Sequence, residues 1–137
     1  MATIFVASSK ALAQWGYDVG LTKQLYKMGV VDGTAEAAVK ALNETAHAGE
    51  RDWRLVKKQE IEGTDEAAVL DRLARKETVV DPFYYPKIKG ARGIFKVKLA
   101  AVERQLMIRS ALEGGVAKAV KTKPADIGAY LIESALS

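Results

Sequence analysis

Two alanine-rich stretches with helical periodicity are set among three short runs of β-branched and aromatic residues, and this order limits the chain to a mixed fold. The runs at 3–7, 25–31 and 53–61 favour strands. The stretches at 35–47 and from 64 to about 76 repeat apolar residues at intervals of three and four, as amphipathic helices do. Thr34 and Thr64 are the residues predicted to cap the starts of these two helices. The order predicts an α+β fold, with a small three-stranded antiparallel sheet flanked by helices.

The rest of the chain has weaker patterns. Residues 10–22 contain glycines that break the periodicity and predict a loop or a short helix, and 78–93 hold prolines and glycines typical of a loop. Apolar spacing predicts a helix over 95–112. After Gly114 and Gly115 comes a short amphipathic helix, with an apolar face of Ile127, Leu131 and Leu136.

This pattern divides the chain into a domain over 1–98 and a helical extension over 99–137. The apolar face of the terminal helix permits two interpretations of the extension. It packs on the domain's own core, or it serves as an appendage that binds another protein or a second copy.

The composition excludes several classes of protein and site. The 137 residues include no cysteine and one histidine, His47, which rules out disulfide scaffolds, thiolate zinc sites, cysteine nucleophiles and histidine clusters. No apolar run approaches the roughly 20 residues that span a bilayer. The first residues also lack the basic and apolar regions of a secretory signal. We therefore expect a cytoplasmic protein without membrane contact.

The positive charge is concentrated in one stretch. The whole chain has a net charge of +4, while residues 82–98 hold five bases and no acid. Aromatic residues are interleaved with these bases, a combination that suits a phosphate backbone and exposed bases. The alternative is a solvated loop beside aromatic residues of the core.

The second predicted strand contains the sequence Tyr26-Lys27-Met28-Gly29. A strand with a central aromatic residue, Phe5, precedes it, and a helix, a strand, an acidic helix start and the basic stretch follow it. This succession resembles the GIY-YIG nuclease superfamily, particularly its phage-type branch, whose second motif is Tyr-Lys-Ile-Gly. The resemblance covers about 3–98.

The resemblance implies a three-stranded sheet flanked by helices and a divalent metal, such as Mg²⁺, that assists cleavage of a phosphodiester. In active members tyrosines help to activate water, an arginine on a helix stabilises the phosphate, and a glutamate near the start of a later helix binds the metal. Such chemistry needs a cation to offset the charge that develops on phosphorus.

Most of these positions are changed in this chain. Tyr26 matches, but Phe5 stands where the first tyrosine is expected, Ala37 or Ala38 where the arginine is, and Gly93 where the glutamate is. Displaced substitutes are Lys40 for the cation and Glu103 for the metal ligand. These changes argue against cleavage, so we expect no enzymatic activity and no cofactor.

Three hypotheses for function follow from this comparison. The first is a binding module for DNA or RNA that contacts phosphates without sequence preference and cuts nothing. The second is a protein-interaction module, using the C-terminal helices, within a larger assembly such as a phage particle. The third is an active Mg²⁺-dependent endonuclease with Tyr26 as a catalytic residue and displaced partners. The nucleic-acid contacts of the first hypothesis are Lys27, Tyr84, Tyr85, Lys87, Lys89, Arg92, Lys96 and Lys98.

Overall fold

A computed structural model describes residues 2–21, 24–80, 93–112 and 124–136. Within these ranges the chain forms five strands and five α-helices, which confirms the α+β class. The strands are β1 (Ala2–Ser9), β2 (Leu25–Val31), β3 (Trp53–Ile61), β4 (Thr78–Val79) and β5 (Ile94–Lys96). The helices are α1 (Lys10–Asp18), α2 (Ala35–Glu44), α3 (Glu66–Ala74), α4 (Leu99–Leu112) and α5 (Pro124–Leu136).

The described strands form one antiparallel sheet in the order β3-β1-β2-β5-β4. The prediction of three strands was therefore wrong by two, because β4 and β5 are too short to show a period. The helix predicted from residue 95 was wrong over its first turn, since Phe95 lies on β5 opposite Tyr26. The apolar spacing fits a helix locally, but pairing with β2 decides the conformation.

Of the loop or short helix predicted for residues 10–22, the structure has the short helix, α1. Its start is fixed by two side chains: the Ser9 hydroxyl accepts the Leu12 amide at 3.1 Å, and Asp52 accepts the Ala11 amide at 3.0 Å and the Ser9 hydroxyl. Burial raises the pKa of Asp52, but these hydrogen bonds outweigh it and leave that pKa below its ordinary value. A residue 43 positions away thus stabilises the helix.

The predicted helices after β2 and β3 are confirmed, with changes at their ends. Thr34 caps α2 as predicted, but α2 ends at Glu44 and a 3₁₀ turn, His47–Gly49, follows. Asp65, rather than Thr64, caps α3: its carboxylate accepts the Ala68 amide at 2.8 Å. Aspartate is as good a cap as threonine, so sequence alone does not choose between neighbours.

The sheet has helices on both faces, with a hydrophobic cluster under each. On one face α3, α4 and α5 cover a cluster that includes Ile4, Val6, Tyr26, Met28, Phe95 and Val102. On the other face α1 and α2 cover a cluster that includes Phe5, Ala7, Leu12, Leu25, Val39 and Trp53. Consecutive residues of β1 and β2 alternate between the two clusters, as the pleat of a strand requires.

Helix α5 belongs to the first of these clusters. Its Ile127, Leu131, Ile132 and Ala135 are all buried. Gly128 allows the close approach, because a Cβ there would lie 2.6 Å from Cβ of Lys57 on β3. The apolar face of the terminal helix is therefore occupied within the chain.

Polar contacts from α3 and from the residues between α3 and β4 hold α5. Arg72 Nε donates to the Ala135 carbonyl and Lys76 Nζ to the Ser134 carbonyl, each at 2.8 Å. Cations at this end of a helix are favourable because the last carbonyls carry partial negative charge. The Tyr130 hydroxyl donates to the carboxylate of Glu77, and burial together with that carboxylate raises the pKa of Tyr130 to about 12.

Candidate functional site

The first strand, the second motif and the start of α3 meet at Gly29. Antiparallel pairing sets Phe5 opposite Gly29, and the Phe5 ring crosses over the glycine. A Cβ at Gly29 would lie 2.7 Å from Phe5 Cζ and 3.2 Å from Glu66 Oε1. Only glycine leaves room for both groups, so the ring edge and the carboxylate lie side by side.

The main chain of β2 fixes the position of Glu66. Strand β5 pairs with β2 up to Lys27, and the Met28 amide donates to the Gly93 carbonyl at 2.9 Å. Further along β2, the Val30 amide donates to Glu66 Oε1 at 3.2 Å. The carboxylate thus replaces a strand partner and is held in the plane of the sheet.

The resemblance places the metal-binding glutamate at position 93, where this chain has a glycine. Gly93 has a φ of +75°, and a Cβ there would overlap the carbonyl oxygen of Met28, so no side chain fits. Glu66, in the first turn of α3, is the carboxylate that the structure brings to the second motif. Its place after Asp65 could have been noticed, but acids are common at helix starts and the pattern favoured that explanation.

Tyr26, the matching residue of the second motif, lies on the opposite face of the sheet from Phe5. It is 7% exposed and packs with Ile4 and Met28, and its hydroxyl donates to Gln24 Oε1 at 3.2 Å. Burial raises the pKa of Tyr26, so the hydroxyl keeps its proton at neutral pH. The two aromatic residues of the motifs therefore do not share one cleft.

The described residues around Glu66 do not make a metal site. In the described ranges there is no group of three or more histidine and carboxylate side chains that could hold a metal ion. Glu66 already accepts a main-chain hydrogen bond, and Asp71, five residues further along α3, pairs with Arg75 at 2.8 Å. Phe5 supplies no oxygen, so the donors fit the implied Mg²⁺ poorly and support no cleavage step.

The substitutes proposed for the missing groups lie on the surface. Lys40 has a side chain that is 79% exposed and stands 4.0 Å from Glu44, one turn along α2. Ala37 is exposed and Ala38 half-buried on the same helix. Glu103 is exposed on α4. A cation such as Lys40 on α2 would therefore have to extend from the solvent-exposed surface to contact a phosphate.

An open groove of about 410 Å³ adjoins Glu66, between α3 and the strands β4 and β5. Its lining is mostly apolar, with Leu70 and Ala74 on one wall and Val80 and Ile94 on the other. Glu66 and Asp71 add two carboxylates. The volume is within the usual range of ligand-binding clefts.

The predicted nucleic-acid contacts are only partly described. Tyr84, Tyr85, Lys87, Lys89 and Arg92 lie outside the described residues. The stretch that contains them follows Val80 and precedes Gly93, and both of these residues line the groove.

Three predicted contacts are described, and they differ in exposure. Lys98 is exposed and Lys96 is half-buried. Lys27 is 5% exposed, and its Nζ is 3.1 Å from where a Cβ of Gly93 would lie. Lys98 is thus the one of these three lysines that is exposed.

The helices in the described ranges are all too short or too polar to cross a membrane. Comparison of the chain with protein-family models, with curated proteins and with solved structures finds no match.

Proposed function

We propose that this chain is a nucleic-acid-binding module that uses a nuclease-like scaffold to contact phosphates without cutting them. The observation that carries the proposal is the meeting of Phe5, Gly29 and Glu66. The resemblance implies an active site at these elements, but Phe5 has no hydroxyl and none of the three residues is a cation, so they lack groups that phosphodiester cleavage needs. Without these groups, the function that this scaffold retains is the binding of a nucleic acid.

Charge supports a nucleic acid as the ligand. Residues 82–98 carry five bases and no acid. The part of this stretch before Gly93 comes after Val80 in the sequence, and Val80 and Gly93 both line the groove. None of the motifs in the sequence resembles a helix that recognises bases, so the contacts are to the backbone and independent of sequence. Neutralising about five phosphates of duplex DNA gives a slope of log K against log salt near −4 to −5.

The test is a band shift and a cleavage assay on the same samples. Labelled duplex DNA, single-stranded DNA and RNA are each incubated with the protein at several salt concentrations, with and without Mg²⁺ or Mn²⁺. We expect a salt-sensitive shift and no cleavage. A band shift that does not weaken as salt is added, or the absence of a shift, would contradict the proposal. Metal-dependent cleavage that is abolished by Tyr26→Phe would instead favour the active-nuclease hypothesis.

A pair of matched variants locates the binding surface. The triple variant K87Q/K89Q/K98Q removes three charges from the basic stretch, and K10Q/K40Q/R51Q removes three exposed charges elsewhere. Losing three of about five phosphate contacts should flatten the salt slope by about 2–3, whereas the control should change it little. If both triple variants changed the salt slope equally, the nucleic acid would be attracted by the net charge of the protein alone.

A protein-interaction module is the second candidate, and one observation favours it. Helix α4 leaves Met107, Ile108 and Leu112 exposed, at 41%, 53% and 83%. Because the apolar face of α5 is buried within the chain, an interaction through the C-terminal helices would use α4. Light scattering on a variant with serine at these three positions tests this use: an unchanged mass excludes self-association through α4.

A further inference from the structure

We propose that β3 is a self-association edge, through which two copies of this chain pair antiparallel about a two-fold axis at Gln59. Strand β3 is at one end of the sheet order, with β1 on one side and no described strand on the other. Nine residues make it a long edge, and exposed long edges readily add a further strand.

Among the described residues, contacts within the chain close one end of this edge, at Trp53. The Asn43 side chain donates to the Trp53 carbonyl at 3.1 Å and accepts the Trp53 amide at 2.7 Å, in place of a strand partner. A register shift follows between Leu55 and Lys57. From Lys57 to Ile61 the pairing with β1 is regular, and the four residues 57–60 are all exposed.

The charges on this regular part match those of a second copy. Lys58 is opposite Phe5 and Glu60 is opposite Thr3, so both side chains lie on the α2 face of the sheet and line one polar groove. With the two-fold axis at Gln59, Lys58 of each copy faces Glu60 of the other. This gives two cross-strand ion pairs on one face and a Gln59–Gln59 contact on the other.

The alternation of faces and the same charges disfavour other registers of the two strands. A shift of one residue would turn the side chains to the wrong face, because faces alternate along a strand. A shift of two residues would set Lys58 against Lys58, or Glu60 against Glu60. Lysines on edge strands usually repel foreign strands, and here the acid two residues later makes the edge complementary to itself.

Lys58 is positioned for this pairing by a contact within the chain. Its ammonium contacts the carboxylate of Glu36 on α2, and the two side chains are 53% and 57% exposed. The contact keeps the long side chain over the α2 face, while half of it remains open to a second carboxylate.

Sedimentation of the full chain at low salt, over a range of micromolar concentrations, tests the proposal. We expect a monomer–dimer equilibrium that weakens as salt is added. Lys58→Glu or Glu60→Lys alone sets like charges together in both pairs, and should raise the dimer Kd about tenfold or more. Lys10→Glu is the matched control, and circular dichroism verifies that each variant folds.

Restoring opposite charges across the proposed interface is the decisive test. The double variant K58E/E60K exchanges the charges and should dimerise again, and an equimolar mixture of the two single variants should form a mixed dimer. A monomer at every concentration would overturn the proposal. So would dimers that the single variants leave intact, or a double variant that stays monomeric while folded.

Discussion

Replacing Leu131 by alanine measures whether α5 is part of the folded domain or an addition to it. Leu131 is fully buried and packs in the cluster beneath α3, α4 and α5. Truncating a buried leucine costs about 2–5 kcal/mol, since the burial is lost and a cavity remains. Domains of this kind have total stabilities of about 5–15 kcal/mol, so the loss is a large part of the whole.

The assay is urea denaturation followed by circular dichroism. With an m value of about 1.5 kcal/mol/M, the expected loss lowers the midpoint by about 1–3 M. Leu112→Ala is the matched control, since it makes the same chemical change on a side chain that is 83% exposed. Its expected effect is within about 0.5 kcal/mol.

Equal midpoints for the two variants would refute this account of α5. So would an early transition in Leu131→Ala that leaves the main transition in place, because α5 would then unfold separately from the sheet. A single transition at lower urea is the outcome that a shared core requires.

Three further outcomes are expected. Gly29→Ala should destabilise the fold by about 1–3 kcal/mol, because the new methyl group overlaps the Phe5 ring; a double-mutant cycle with Phe5→Leu should recover part of the loss, and additivity would refute the overlap. Tyr130→Phe should cost about 1–3 kcal/mol in urea melts, because buried Glu77 loses its hydroxyl donor; an unchanged midpoint would contradict this. The pKa of Asp52 is lowered in the folded state, so the ionised carboxylate adds stability above the unfolded pKa, and this stability is lost as pH falls through the folded pKa. The difference in unfolding free energy between the unaltered protein and Asp52→Asn should therefore shrink as pH is lowered below about 5. A difference that does not change with pH would exclude this linkage.

The elements that sequence predicted well carry their own signals. The predicted ends of β2 and β3 agree with the structure, and Thr34 correctly marked the start of α2. Apolar period, β-branched residues and a capping side chain all act within a few positions of one another, so they can be detected from the chain alone.

The site could be predicted only in part. The motif singled out Gly29, but the carboxylate beside it is Glu66, 37 positions later in the sequence. Glu66 accepts the Val30 amide beyond the point where β5 stops pairing with β2. The sequence near residue 66 does not indicate where that pairing stops. The position assigned instead, Gly93, is filled by the carbonyl of Met28.

The sequence by itself determined the α+β class, the concentration of positive charge in residues 82–98 and the main local elements, because propensity, periodicity and charge are properties of neighbouring residues. The tertiary structure decided the rest. It turned Phe95 from a helix to a strand by pairing with Tyr26, stabilised α1 through Asp52, and buried the face of α5 against the sheet. In each case the deciding contact joins residues far apart in the chain, and its free energy exceeds the small local preference that it overrides.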